Sequence, residues 1–159
     1  MYEQAEIERD PFKPMVGIHI RRTDKIIEEA QYHGIEEYMT YVEEYFLRQE
    51  MKNGVIIFPK QVFIASDDPM VFAELRQKYP NYKFIGNESR ANSASLTNRY
   101  NIDSLKKTMV DVHMLSLSDY IVCTFSSNLA RTAYELQQQR YSDSSKRVKS
   151  LDEKWHFGN

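Results

Sequence analysis

Four short runs of apolar residues punctuate the chain: Met15 to Ile20, Val62 to Ala65, the weaker pair Phe84-Ile85, and Tyr120 to Phe125. Each is β-branched or aromatic and bounded by polar residues, which predicts a buried strand. Between them the apolar period changes. From Ile35 onward, Tyr38, Met39, Val42, Tyr45 and Phe46 recur at three and four, one face of an amphipathic helix. Asp68-Pro69 predicts the start of a second helix, with Asp68 as N-cap and Pro69 in the first turn. Val71, Phe72, Leu75 and Tyr79 line that helix, and Pro80 stops it. A third helix is predicted from Ser104 to Leu117, and a fourth from Ser126-Ser127 to Gln139.

Strands alternating with amphipathic helices predict an α/β fold, a parallel sheet with helices on both faces. Ligands bind such sheets at the carboxyl ends of the strands. That rule points to His19 to Lys25, Ser66 to Asp68, Gly86 to Arg90, and Thr124 to Asn128. Asn87 to Asn101 is polar and reads as an irregular loop. Tyr141 to Ser150 is rich in serine and basic residues and reads as a surface linker. Leu151 to Asn159 turns apolar and aromatic again, as if the chain were cut short. The expected division is a ligand-binding domain over residues 1–140, then a linker and truncated segment over 141–159.

Composition narrows the function classes. At 159 residues, 42% of them apolar and 28% charged, the chain can build one ordinary soluble domain. A net charge of −2 argues against a nucleic-acid binder held by bulk charge. No apolar run approaches a membrane span, and the acidic start MYEQAEIERD is unlike a signal peptide. The single cysteine, Cys123, excludes an internal disulfide framework and a cysteine-rich zinc module, and its place in the fourth strand reads as inert core. With only five glycines there is no GxGxxG and no Walker loop; HExxH and a nucleophile elbow are also missing.

Three stretches carry candidate chemistry. His19-Ile20-Arg21-Arg22-Thr23-Asp24-Lys25 follows the first strand and concentrates cations there. Arginine forks match phosphate oxygens bidentately and lysine adds a point charge, so the stretch can hold a diphosphate without a glycine loop. It can equally be a solvated basic turn paired with Asp24 and Glu28. Thr124-Phe125-Ser126-Ser127-Asn128 opens the fourth helix, where free N–H groups and hydroxyls bind anions. Plain N-capping by Ser126 or Ser127 explains it as well. In Ser66-Asp67-Asp68-Pro69 the paired acids invite a metal reading, but capping already accounts for Asp68 and no further ligands cluster by spacing. Glu28 and Glu29 follow the basic stretch and form either a solvated acidic pair or a general base. Asp111, inside a fairly apolar helix, faces solvent or a ligand donor such as a guanine N–H.

Taken together, VGIHIRRTDK, HGIEEYM, SDDP, KYPNYKFI, NRY, DVHMLSLSDYIVCTFSSN, RTAYE and SLDEKWHFG resemble, in that order over most of the chain, the α-1,6-fucosyltransferases of glycosyltransferase family 23. The pairing of HIRRTDK with CTFSS is far more specific than either alone. The resemblance implies the Rossmann-like, nucleotide-binding half of a GT-B-like enzyme. Its donor would be GDP-fucose and its acceptor the innermost N-acetylglucosamine of an N-glycan, in an inverting reaction that needs no metal. On matching positions, His19 and Asp111 would read guanine. Arg21, Arg22 and Ser127 would hold the diphosphate and fucose side, with Asp24 and Ser126 in the same stretches. Lys25 would neutralise the leaving phosphate, and Glu29 would take the proton from the acceptor 6-hydroxyl. Asp67 and Asp68 match an acid pair important in the family.

Some positions depart from the family pattern. Asn128 stands where the family usually has glutamine, which would shorten a donor contact. Glu153, Trp155 and His156 replace an aspartate and aliphatic or aromatic residues in a region used near the acceptor, where Asp152 still matches. The resemblance further implies that the chain is the donor-binding half alone. The membrane anchor, stem, N-terminal catalytic half and SH3-like domain of a Golgi enzyme are expected outside it. Two other readings stay open: a GDP-binding remnant or interaction module without transferase activity, and a flavodoxin-like regulatory domain. The second expects acids, not cations, at the end of the first strand.

Overall fold

A computed structural model describes residues 8–22, 33–86 and 102–152. The strands are β1 (Met15–Ile20), β2 (Lys60–Ser66), β3 (Tyr82–Ile85), β4 (Tyr120–Cys123) and β5 (Val148–Ser150). The helices are α1 (Ile35–Asn53), α2 (Met70–Lys78), α3 (Ile102–Ser116) and α4 (Asn128–Gln138). All five strands pair in parallel in the order β3-β2-β1-β4-β5. This is the α/β sheet expected from the alternation of periods.

The run MVGIHI is buried along its whole length because β1 lies at the centre, with strands on both edges and helices on both faces. Successive side chains of a strand point to opposite faces, so the two layers can be read from residue parity. Val16, Ile18 and Ile20 join Val62 and Ile64 of β2 against the apolar faces of α1 and α2. Met15 joins Phe63 and Ala65 against Val110, Met114 and Leu115 of α3 and Ala133 of α4. Ile121 and Cys123 of β4 meet Ala130 and Tyr134 of α4 on that same side.

Two glycines are needed where they stand. Gly54 ends α1 in the left-handed region at φ 68°, and its N–H donates to the Glu50 carbonyl at 2.8 Å. At Gly17 a Cβ would sit 2.6 Å from Ser118 Oγ and 2.9 Å from Leu115 Cδ2. The central strand therefore closes directly onto the α3–β4 turn.

The predicted helices and strands form within a few residues of their expected bounds. Thr124 and Phe125 leave the fourth strand for the turn ahead of α4. One expectation is corrected. The segment 141–150, read as a surface linker, ends in a fifth strand. Val148, Lys149 and Ser150 pair with Ile121, Val122 and Cys123, and the Leu151 N–H donates to the Cys123 carbonyl at 2.9 Å. Three half-buried residues on a sheet edge are too few to show a period of two, so the pairing left no mark in the pattern. The loop expected over 87–101 lies outside the described residues.

Candidate functional site

The chain runs β1, β2, β3 outward on one side of the sheet, then returns through α3 to place β4 on the other side of β1. The order therefore reverses between β1 and β4, and α/β sheets bind their ligands beyond the carboxyl ends of the strands at such a reversal. His19, Arg21 and Arg22 reach it from β1, Ser66, Asp67 and Asp68 from the neighbouring β2, and Thr124 to Asn128 from β4. Three of the four loops selected from the sequence thus meet in one place.

The β1–β2 side is held by carboxylates. Asp67 Oδ1 accepts the Arg22 backbone N–H at 2.8 Å, tying the exit of β1 to the end of β2. The Asp68 N–H donates to Ser66 Oγ at 3.1 Å, and Asp68 Oδ1 accepts the Met70 N–H at 2.9 Å. Asp68 therefore caps α2, as its sequence position predicts, with Pro69 in helical conformation beside it. The Arg22 guanidinium points to the α2 side. Its Nη1 lies 3.4 Å from Asp68 Oδ2, and Nη1 and Nη2 donate to the two Glu74 oxygens at 3.0 and 3.2 Å. The Arg22 hydrogen bonds hold the Glu74 carboxyl below its ordinary pKa. Glu74 carried no signal in the sequence: it is a lone acid on a short helix, 52 residues from the arginine it meets. Among the described residues no three His, Cys, Asp or Glu side chains gather as a metal site requires.

On the β4 side, Ser127 is the N-cap of α4, with extended φ and ψ of −91° and 124°. Its side chain makes no capping bond; the hydroxyl is fully buried and has no hydrogen-bond partner among the described residues. A buried hydroxyl normally finds a partner. This one sits at the helix end whose N–H groups favour an anion. The loop before it is braced. The Phe125 N–H donates to Ser150 Oγ at 3.0 Å, Ser150 Oγ donates to Asp152 Oδ1 at 3.0 Å, and Arg131 Nε donates to the Phe125 carbonyl. Asp152 thus lies beside the β4–α4 loop, and Arg131 and Ser150 join the site without having been singled out from the sequence.

His19 is buried on β1, and parity puts it on the α3 side with Met15 and Gly17. Asp111 is half-buried on α3, one turn before Met114 and Leu115, which pack on the sheet. Gly17 lies against Leu115. From that level His19 is two strand residues higher, about 7 Å, and Asp111 four helix residues higher, about 6 Å. The two therefore stand at similar heights on the same side. Arg21 and Arg22 follow directly on the last residue of β1, and the contacts of Arg22 place its guanidinium on the α2 side. Asp24, Lys25, Glu28 and Glu29 lie outside the described residues. Cys123 is fully buried, which pushes its thiol well above the usual range, so it is packing rather than chemistry.

A doubly wound parallel sheet with cations leaving one strand and a helix start facing them at the switch point is the arrangement in which α/β domains bind nucleotides. Residues 2–156 match the profile of the alpha-(1,6)-fucosyltransferase N- and catalytic domains, and the chain belongs to that family. It is 46% identical over 146 residues to the alpha-(1,6)-fucosyltransferase of Drosophila melanogaster, covering 92% of this chain and 23% of the relative. Against the Caenorhabditis elegans alpha-(1,6)-fucosyltransferase it is 43% identical over 145 residues, covering 91% of this chain and 26% of the relative. The chain thus spans about a quarter of the length of these curated relatives. Among solved structures it is similar to the NodZ alpha-1,6-fucosyltransferase co-crystallised with GDP, at 14% identity and a TM-score of 0.45, covering 83% of this chain and 38% of that one.

Proposed function

We propose that the chain is the donor-binding part of an α-1,6-fucosyltransferase that takes fucose from GDP-fucose to the 6-hydroxyl of the innermost N-acetylglucosamine of N-glycans. The observation that carries the reading is the Ser127 hydroxyl at the head of α4, buried and without a partner among the described residues, after the strand that neighbours β1 and its cationic exit. A diphosphate suits the switch point: the α4 N–H groups and Ser127 Oγ donate from one side, and Arg21 supplies charge from the other. His19 and Asp111, at similar height on the α3 side, suit a purine carrying both donors and acceptors, and the carboxylate favours guanine N–H groups.

The reaction is a single displacement with inversion. A base takes the acceptor proton while positive charge stabilises the departing GDP. In this reading Glu29 is the base, and Lys25 and Arg21 supply the leaving-group charge. Because arginine and lysine supply the charge, the reaction is proposed to need no metal. The longer protein is proposed to act in the Golgi lumen. The test is calorimetric titration of the folded chain with GDP and with UDP. GDP-selective heat that is lost in Arg21→Ala supports the reading, and UDP binding as tight as GDP refutes it. GDP binding with no fucose transfer, even when the N-terminal half of a relative is supplied, would make the chain a nucleotide-binding module instead.

A further inference from the structure

The adjacent arginines at the exit of β1 do not share one environment, and the difference comes from α2. Arg22 continues the parity of Val16, Ile18 and Ile20, so its side chain leaves on the α1–α2 face. There Glu74 meets it fork to fork at 3.0 and 3.2 Å, and Asp68 adds a third contact at 3.4 Å. The Arg22 side chain is only 10% exposed. Its backbone N–H is bonded to Asp67 as well. Main chain and side chain of one residue are thus gripped by three carboxylates, two from the turn after β2 and one from α2.

We infer that Glu74 is a positioning residue of the donor site. By holding the Arg22 guanidinium on the α2 side it fixes the chain at the exit of β1, and the neighbouring Arg21 is the arginine left to serve the diphosphate. This rests on the donor-binding reading above, and it moves Arg22 from a ligand of the diphosphate to an anchor. A planar guanidinium matched by two carboxylate oxygens has a defined orientation as well as an attraction. One residue before it, an Arg21 held by such an anchor is pre-organised, and pre-organisation lowers the ordering cost of binding.

The test compares the unmodified chain with Glu74→Gln and Glu74→Asp, titrated with GDP and with guanosine, which lacks the diphosphate. In Glu74→Gln, GDP binding is expected to weaken about tenfold, the scale of one charged hydrogen bond. Guanosine binding is expected to be unchanged, because its contacts lie on the α3 side. The unfolding midpoint should move by no more than about 3 °C, as befits a partly exposed ion pair. Glu74→Asp keeps the charge and should recover part of the loss. In an Arg22→Met background, Glu74→Gln should cost no further affinity. Unchanged GDP affinity in Glu74→Gln, with the unmodified chain binding GDP, overturns the inference alone. An equal loss of GDP and guanosine affinity with a lowered midpoint also overturns it, since that is a merely structural role. If the unmodified chain binds no GDP, the donor-binding reading and this inference fall together. Should Glu74→Gln not fold, Glu74→Asp carries the same GDP-against-guanosine comparison.

Discussion

Replacing Ser127 with alanine should move stability and binding in opposite directions. An N-cap serine changed to alanine ordinarily costs about 1 kcal/mol, because a side-chain bond to the first turn is lost. Here no such bond exists, so that cost does not arise. The hydroxyl is instead buried with no partner among the described residues, and a buried unsatisfied polar group is a standing penalty of about 1–3 kcal/mol. Removing it leaves a gap of one oxygen, which offsets part of the gain. The expected net effect is neutral to stabilising by about 1 kcal/mol, or roughly 2–4 °C in midpoint for a chain of this size. Affinity for GDP should fall about tenfold, since a hydrogen bond to a charged phosphate is lost. Urea unfolding followed by circular dichroism gives the first quantity and calorimetric titration the second. A destabilisation of about 1 kcal/mol or more would show that the hydroxyl is an ordinary cap. Unchanged GDP affinity would remove it from the donor site. Either result refutes the reasoning, which rests on the hydroxyl being kept for a ligand at the expense of the fold.

Two further outcomes follow from the packing and the charges. Gly17→Ala drives a methyl into Ser118 Oγ and Leu115 Cδ2 at the centre of the sheet, so urea unfolding should show a loss of about 1–3 kcal/mol. Glu74 has a lowered native pKa, so the stability from its pair with Arg22 is complete above the unfolded value of 4.5 and fades as pH falls through the native value; the acid limb of the stability curve should flatten in Glu74→Leu, as acid titration of the unfolding midpoint would show.

Much of the fold is written locally. A helix that buries one face must repeat its apolar residues every three to four positions, and Ile35 to Phe46 do so. A central parallel strand is covered on both faces, so MVGIHI reads as an unbroken apolar run. The loops beyond β1, β2 and β4 were legible as site candidates for a related reason. Residues that cannot continue a buried strand and that carry concentrated charge or hydroxyls stand out against it. Asp68 as a cap was legible too, because its partner Met70 is only two residues away.

What the sequence by itself determined is therefore whatever depends on near neighbours: the elements, their buried faces, the α/β class, and the family motifs at the strand ends. The tertiary structure decided what depends on docking. Whether Val148 to Ser150 form a strand depends on the free edge of β4, which no local pattern records. The hydroxyl of Ser127 could equally have capped its helix; only the packing around the start of α4 leaves it buried and without a partner among the described residues. Two consecutive arginines look alike along the chain, and only the docking of α2 gives Arg22 its carboxylate partners. Glu74, 52 residues from Arg22, meets that guanidinium only because α2 packs on the same face of the sheet as Val16, Ile18 and Ile20. Such long-range pairings depend on where whole elements dock, and a local period carries no information about that.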